Sequence, residues 1–150
     1  MVSPELLRRY PFFGGFNADQ IIFLAKNAEE MDFESGYTFH REGEPVDRFF
    51  MLLEGEVGIV TTIPRRGDVT LSKLIPGDVF GWSGLVPPHV ATANTKSFTP
   101  VKVIAFGSDT IRTRMAEECD FGYPMMVKVA QIIRERLKAL RLETLDYLAD

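Results

Sequence analysis

Cysteine is almost missing from this sequence: Cys119 is the only one in 150 residues. No disulfide framework, zinc cluster or iron–sulfur cluster can therefore be assembled within one chain, and a lone cysteine ahead of a helix reads as a small packed residue. Histidine is scarce too, with His40 and His89 alone, too few for an imidazole-rich metal site. His40 reads as a surface or turn residue and His89 as part of a Pro-rich loop, so no metal is expected. No apolar run approaches the ~20 residues that cross a bilayer. The opening Met1-Val2-Ser3-Pro4-Glu5 lacks the basic-then-apolar pattern of a signal peptide. A soluble, cytoplasmic protein without membrane contact is expected. Excess positive charge is absent as well: 17 Lys and Arg face 21 Asp and Glu, a net charge of −4, whereas domains that coat nucleic acid concentrate cations. There is no repeat, low-complexity tract or linker. No serine, nor Cys119, has a recognisable nucleophile signature around it, so no enzyme is expected.

Core material is plentiful. Hydrophobic residues make up 45% of the chain and include 12 Phe, enough for one domain that buries roughly two thirds of its unfolded surface. Residues 4–30 read as a helical lead-in, in which Asn17 and Gln20 have the spacing of a capping box. Residues 31–106 change to short β-branched and aromatic runs: Tyr37–Phe39, Phe49–Leu53, Val57–Thr62, Val69–Leu74 and Val101–Phe106. Turn signals separate them at Gly36, Gly43, Gly55, Gly67 and Gly77. Evenly spaced short strands of this kind indicate an antiparallel β-roll or jelly roll rather than βαβ units. Cupin enzymes share such a roll, but their metal needs several His. In the second run Phe49, Met51 and Leu53 are expected to face the interior, with Phe50 and Leu52 on the other side. Residues 107–150 return to helix, around Asp109–Cys119 and then Tyr123 to about Tyr147. On the long helix Met126, Ala130, Ile133, Leu137, Leu140, Thr144 and Tyr147 recur at three- and four-residue steps and form one seam. Val129, Ile132, Leu142, Leu145 and Leu148 widen that surface beyond what a lone helix exposes. Lys128, Arg134, Arg136, Lys138 and Arg141, interleaved with Glu135 and Glu143, read as the solvated flank of the seam.

Two glycine-punctuated motifs go further. The stretch Gly43-Glu44-Pro45-Val46-Asp47-Arg48-Phe49-Phe50-Met51-Leu52-Leu53-Glu54-Gly55-Glu56-Val57 resembles the hallmark hairpin of cyclic nucleotide-binding domains. Leu74-Ile75-Pro76-Gly77-Asp78-Val79-Phe80-Gly81 resembles that family's approach to its phosphate-binding cassette. The likeness extends from Leu7 through the last helix and implies a Crp/Fnr-type regulatory domain: a double-stranded β-helix with short N-terminal helices and a long C-terminal one.

By this resemblance the cassette is Gly81-Trp82-Ser83-Gly84-Leu85, followed by Ala91-Thr92-Ala93. In nucleotide-binding members a short helix offers N–H groups to the cyclic phosphate, an Arg pairs with its charge and a Glu accepts the ribose hydroxyl. Here Trp82 occupies the Glu position and Ala91 the Arg position. No Arg lies between Arg66 and Arg112, and no Glu between Glu56 and Glu117. Losing one member of a buried charge pair costs about 3–5 kcal/mol, so the usual mode of cAMP or cGMP binding is not expected unless Lys73 or Lys96 substitutes. Two states of the site stay open. Trp82 closes it, or a backbone nest at Ser83–Leu85 holds a cyclic nucleotide or other small anion, with Trp82 as stacking face and Ser83 or Thr92 as hydroxyl partners. The expected function is a regulatory or sensor module that forms a homodimer through the final helix. The alternatives are a receptor for a small anion and a protein–protein adaptor. Direct DNA reading is not expected, because no helix-turn-helix follows before Asp150.

Overall fold

The computed structural model describes residues 1–149, apart from the side chain of Tyr147. Helix α1 spans Pro4–Arg8, a 3-10 turn Pro11–Phe13 and α2 Ala18–Lys26. Asn17 caps α2 through the reciprocal box that its spacing with Gln20 predicts. Eight strands follow: β1 Ala28–Phe33, β2 Thr38–His40, β3 Arg48–Glu54, β4 Val57–Ile63, β5 Gly67–Leu74, β6 Val79–Phe80, β7 Asn94–Ser97 and β8 Val101–Gly107. Between β6 and β7 lies a short 3-10 helix, Trp82–Leu85, and the chain continues into α3 (Ser108–Glu117) and α4 (Cys119–Ala149).

The strands form two four-stranded sheets, ordered β1-β8-β3-β6 and β2-β7-β4-β5, with every pairing antiparallel. This is the jelly roll with flanking helices that the strand spacing implies. The tight β3–β4 reversal needs a glycine. Gly55 has φ +94°, and a Cβ there would stand 2.8 Å from Thr99 Oγ1, so both conformation and space exclude a side chain.

Strand β3 is buried on both faces, and the expected facing is reversed. Phe50 and Leu52 point into the roll, against Leu74, Phe80 and Val103. Phe49 and Met51 instead pack on the helical layer of Leu7, Ile21, Phe121 and Met125. The helices form a second core, so the side that looked inward covers the sheet's outer surface.

Strand β1 starts at Ala28, inside the stretch assigned to helix. Its three acidic side chains hide its strand character, and antiparallel pairing to β8 supplies it. Helix α4 starts earlier than expected, with Pro124 inside it. Proline cannot donate to the carbonyl four residues back, but Gln20 Nε2 donates to that Asp120 carbonyl at 3.1 Å, and the helix continues to Cys119. Cys119 itself is exposed, not packed, because it stands at the open first turn of α4. No helix among the described residues is long and apolar enough to cross a membrane.

Candidate functional site

The hairpin glycines position the site. In the turn before β3, Gly43 N–H donates to the Ala91 carbonyl at 2.9 Å and Ala91 N–H to the Glu44 carbonyl at 2.9 Å. Asn94 Oδ1 accepts from Glu42 N–H at 2.9 Å. The Gly43 turn thereby clasps the Ala91–Ala93 loop against the roll. Gly81, in the left-handed region at φ +81°, opens the Trp82–Leu85 helix.

Between these segments and α4 lies a partly open cavity of about 310 Å³. Of the residues predicted for the site, Gly81, Trp82, Ser83, Ala91, Thr92 and Ala93 line it. Gly84 and Leu85 do not. Leu85 packs into the helical core, while Gly84 is pressed against Ser108, its N–H donates to the Gly81 carbonyl and its carbonyl accepts from Arg112. The expected nest at Ser83–Leu85 is thus partly consumed by the fold. Trp82 stands half-buried in the wall and leaves the space open rather than filling it.

The opposite wall is α4, through Ile133, Arg136, Leu137 and Leu140. Three of these were expected only as a dimer seam. Met126 and Leu137 are exposed, as are Ala130 and Thr144, and Thr144 Oγ1 donates to the Leu140 carbonyl at 2.8 Å. Tyr147 belongs to the same predicted seam, but its side chain lies outside the described residues.

Arg136 departs most from expectation. It is not on the solvated flank: it is half-buried, with Nη1 3.4 Å from Ser72 Oγ on β5 and Nε buried without a hydrogen-bond partner. Desolvation lowers the guanidinium pKa from its ordinary value, against the opposing pull of Asp78, yet an arginine remains a cation at neutral pH. One signal was legible: Ile133, Arg136, Leu137 and Leu140 stand at i, i+3, i+4 and i+7, one face of a helix. Lys73 and Lys96, the other cations considered, stand near Glu56 (3.8 Å) and Asp68 (3.9 Å) instead.

His40 also differs from its expected surface position. It is buried at the end of β2 and lines the cavity. Its Nε2 lies 3.1 Å from the Arg48 carbonyl, an acceptor only, so Nε2 carries the proton and the unpartnered Nδ1 is left as an acceptor. Burial pushes the His40 pKa down, keeping the ring neutral at pH 7. The site therefore offers apolar walls, an indole, several hydroxyls, one neutral imidazole and one guanidinium.

The profile of the cyclic nucleotide-binding domain family matches residues 30–118. The chain belongs to this family. It is 28% identical over 130 residues to the CRP-like cAMP-activated global transcriptional regulator of Mycobacterium tuberculosis, covering 87% of this chain and 58% of that protein. The chain thus spans little more than half of that relative. A crystal structure from Geobacter metallireducens GS-15, of a protein assigned as cyclic nucleotide-binding, superposes with a TM-score of 0.83 at 30% identity, over 91% of this chain and 99% of the other. The N-terminal domain of a transcriptional regulator from Streptomyces coelicolor A3(2) superposes with a TM-score of 0.70 at 27% identity, over 90% and 94%. The family is one of ligand-binding domains.

Proposed function

We propose that this domain is a regulatory sensor whose roll cavity receives a small organic ligand and whose α4 reports its arrival. The observation that carries the reading is the cavity of about 310 Å³, walled on one side by the cassette and on the other by Ile133, Leu137 and Leu140 of α4. A ligand in that space touches roll and helix together, so binding biases how the helix is held. Cyclic AMP in the family's usual pose is disfavoured, because Trp82 and Ala91 supply neither carboxylate nor guanidinium where those groups are needed.

The same helix supports pairing. Leu142, Leu145 and Leu148 are 52%, 57% and 74% exposed, and a second copy presenting the same stripe would cover them in an isologous contact. A homodimer joined along α4 places the sensing wall beside the interface. Docking of the stripe on a different protein is the adaptor alternative, and an isolated chain that stays monomeric favours it.

Calorimetric titration with cAMP, cGMP and a panel of small metabolites tests the sensor reading, with emission from Trp82, the sole tryptophan, as a second signal. The expected result is a binder within the panel, with cAMP weak in the wild type and strengthened at least tenfold by the Ala91→Arg, Trp82→Glu pair. Silence across the panel in both proteins contradicts the reading.

A further inference from the structure

The sequence places no arginine on the cassette, yet the fold returns one to the cavity from the opposite side. Among the described lining residues Arg136 is the single cationic side chain: His40 is held neutral, and the other walls are apolar or hydroxyl-bearing. Its contacts leave it poised. Nη1 reaches Ser72 Oγ only at 3.4 Å, and the Nε–H is shut away from solvent with no acceptor. The Asp78 carboxylate that stabilises the charge from a distance already accepts the Ile75 N–H at 3.0 Å within its own turn. A half-buried guanidinium with an unsatisfied N–H is an uncompensated cost in the ligand-free fold. An anion with two oxygens reaches the guanidinium through its terminal Nη groups, which hold only the long Ser72 contact, and its charge-assisted bonds there offset part of that cost.

We infer that Arg136 is the anion-binding residue of this cavity, and that its ligand is an organic monoanion with an apolar or planar body, held from helix α4 instead of from the cassette. This rests on the sensor reading above. One cation matches one negative charge, and Trp82, Phe80, Ile59 and Leu71 offer the body an apolar berth. A phosphodiester and a carboxylate share the needed chemistry. Because the charge sits on the helix and the apolar walls sit on the roll, the ligand is a bridge between the two. Its departure leaves Arg136 attached to the roll only through the long Ser72 contact, and α4 is then held less firmly.

The test is calorimetry on the full chain with three matched pairs, charged and neutral: cAMP and adenosine, 4-phenylbutyrate and 4-phenylbutyramide, octanoate and octanamide. In at least one pair the anion binds ten times or more tighter than its neutral partner, and the pair that responds distinguishes a phosphodiester from a carboxylate. Arg136→Gln lowers that anion's affinity roughly ten- to hundredfold, the range lost with a charge-assisted hydrogen bond, and leaves the neutral member unchanged. Arg136→Lys retains part of the preference, and is read in its place if Arg136→Gln does not fold by circular dichroism. Arg134→Gln, on the exposed flank, leaves both members as in the wild type. Ligand-induced slowing of amide exchange along residues 130–140 appears in the wild type and disappears in Arg136→Gln. Equal affinity for anion and neutral partner, or anion binding undiminished in Arg136→Gln, overturns the role of Arg136 while leaving the sensor intact. Failure of all six probes, with no change in Trp82 emission, overturns both.

Discussion

A Cβ placed on Gly81 would stand 2.7 Å from Cε1 of His40 and 3.0 Å from the Arg48 carbonyl. The left-handed turn that opens the cassette and the imidazole at the end of β2 are therefore packed without room for a methyl group. The bare backbone of Gly81 lets the cassette sit directly on the sheet.

Gly81→Ala is expected to lose about 1–3 kcal/mol of stability, from forcing a non-glycine residue to φ +81° and from the clash. Urea titration measures this. A midpoint within error of the wild type contradicts the packing described.

His40 titrates in a way that sets a pH window. Burial, the largest influence, depresses its pKa below the ordinary 6.5; the Arg48 carbonyl and Asp47 oppose this, and the Arg48 charge reinforces it. The unfolded chain therefore takes up a proton more readily than the folded one below about pH 6.5. The neutral ring's stabilising contribution is present above that pH and is lost as pH falls through the depressed value. Urea midpoints at pH 7.5, 6.5 and 5.5 are expected to fall more steeply for the wild type than for His40→Gln. Parallel curves refute the buried neutral imidazole.

Gln20 serves two structures at once, the capping box of α2 and the Asp120 carbonyl orphaned by Pro124. Gln20→Ala is expected to cost about 1–2 kcal/mol. Restoring the helix's own donor with Pro124→Ala makes that loss smaller, and a double-mutant cycle read by thermal denaturation isolates the coupling. Strict additivity would show that the Gln20 bond contributes nothing.

Leu137 is 67% exposed at the rim of the cavity. Leu137→Asp is expected to change the stability of the single chain by no more than about 0.5 kcal/mol, as is usual at an exposed position, while dissociating a dimer built along α4. Sedimentation at micromolar concentration reads the second effect. A wild type that is already monomeric, or a dimer untouched by the substitution, removes this pairing.

The parts that were legible in the sequence depend on local chemistry. Glycine turns at Gly43, Gly55 and Gly77 and the apolar runs between them show through because φ and alternation leave their mark within a few residues. Strand β7, Asn94–Ser97, carries no such mark. Its buried Thr95 and Ser97 are polar, and pairing with β2 and β4 on either side makes it a strand. The cassette side of the cavity was legible as Gly81–Ser83 and Ala91–Ala93. Its far wall was not, since a charge among other charges on a long helix reads as solvent-facing until a neighbouring sheet covers it. For Arg136 the covering strand lies 64 residues away in the chain, whereas His40 is covered by the rings of Phe50 and Phe80 on neighbouring strands, a contact that its place beside a turn does not reveal. The reversed facing of β3 has a related origin, for alternation reveals that a strand has two sides but not which of two cores each side meets.

Because β3 has no watery side, its amides and those of its partner β8 should be the last to open in the molecule. The candidate site borders the other sheet, whose β4–β5 hairpin extends to exposed residues at its tip. The domain thus divides into a stiff keel and a softer gunwale, and a molecule lodging at the gunwale can alter local order without the hull coming apart.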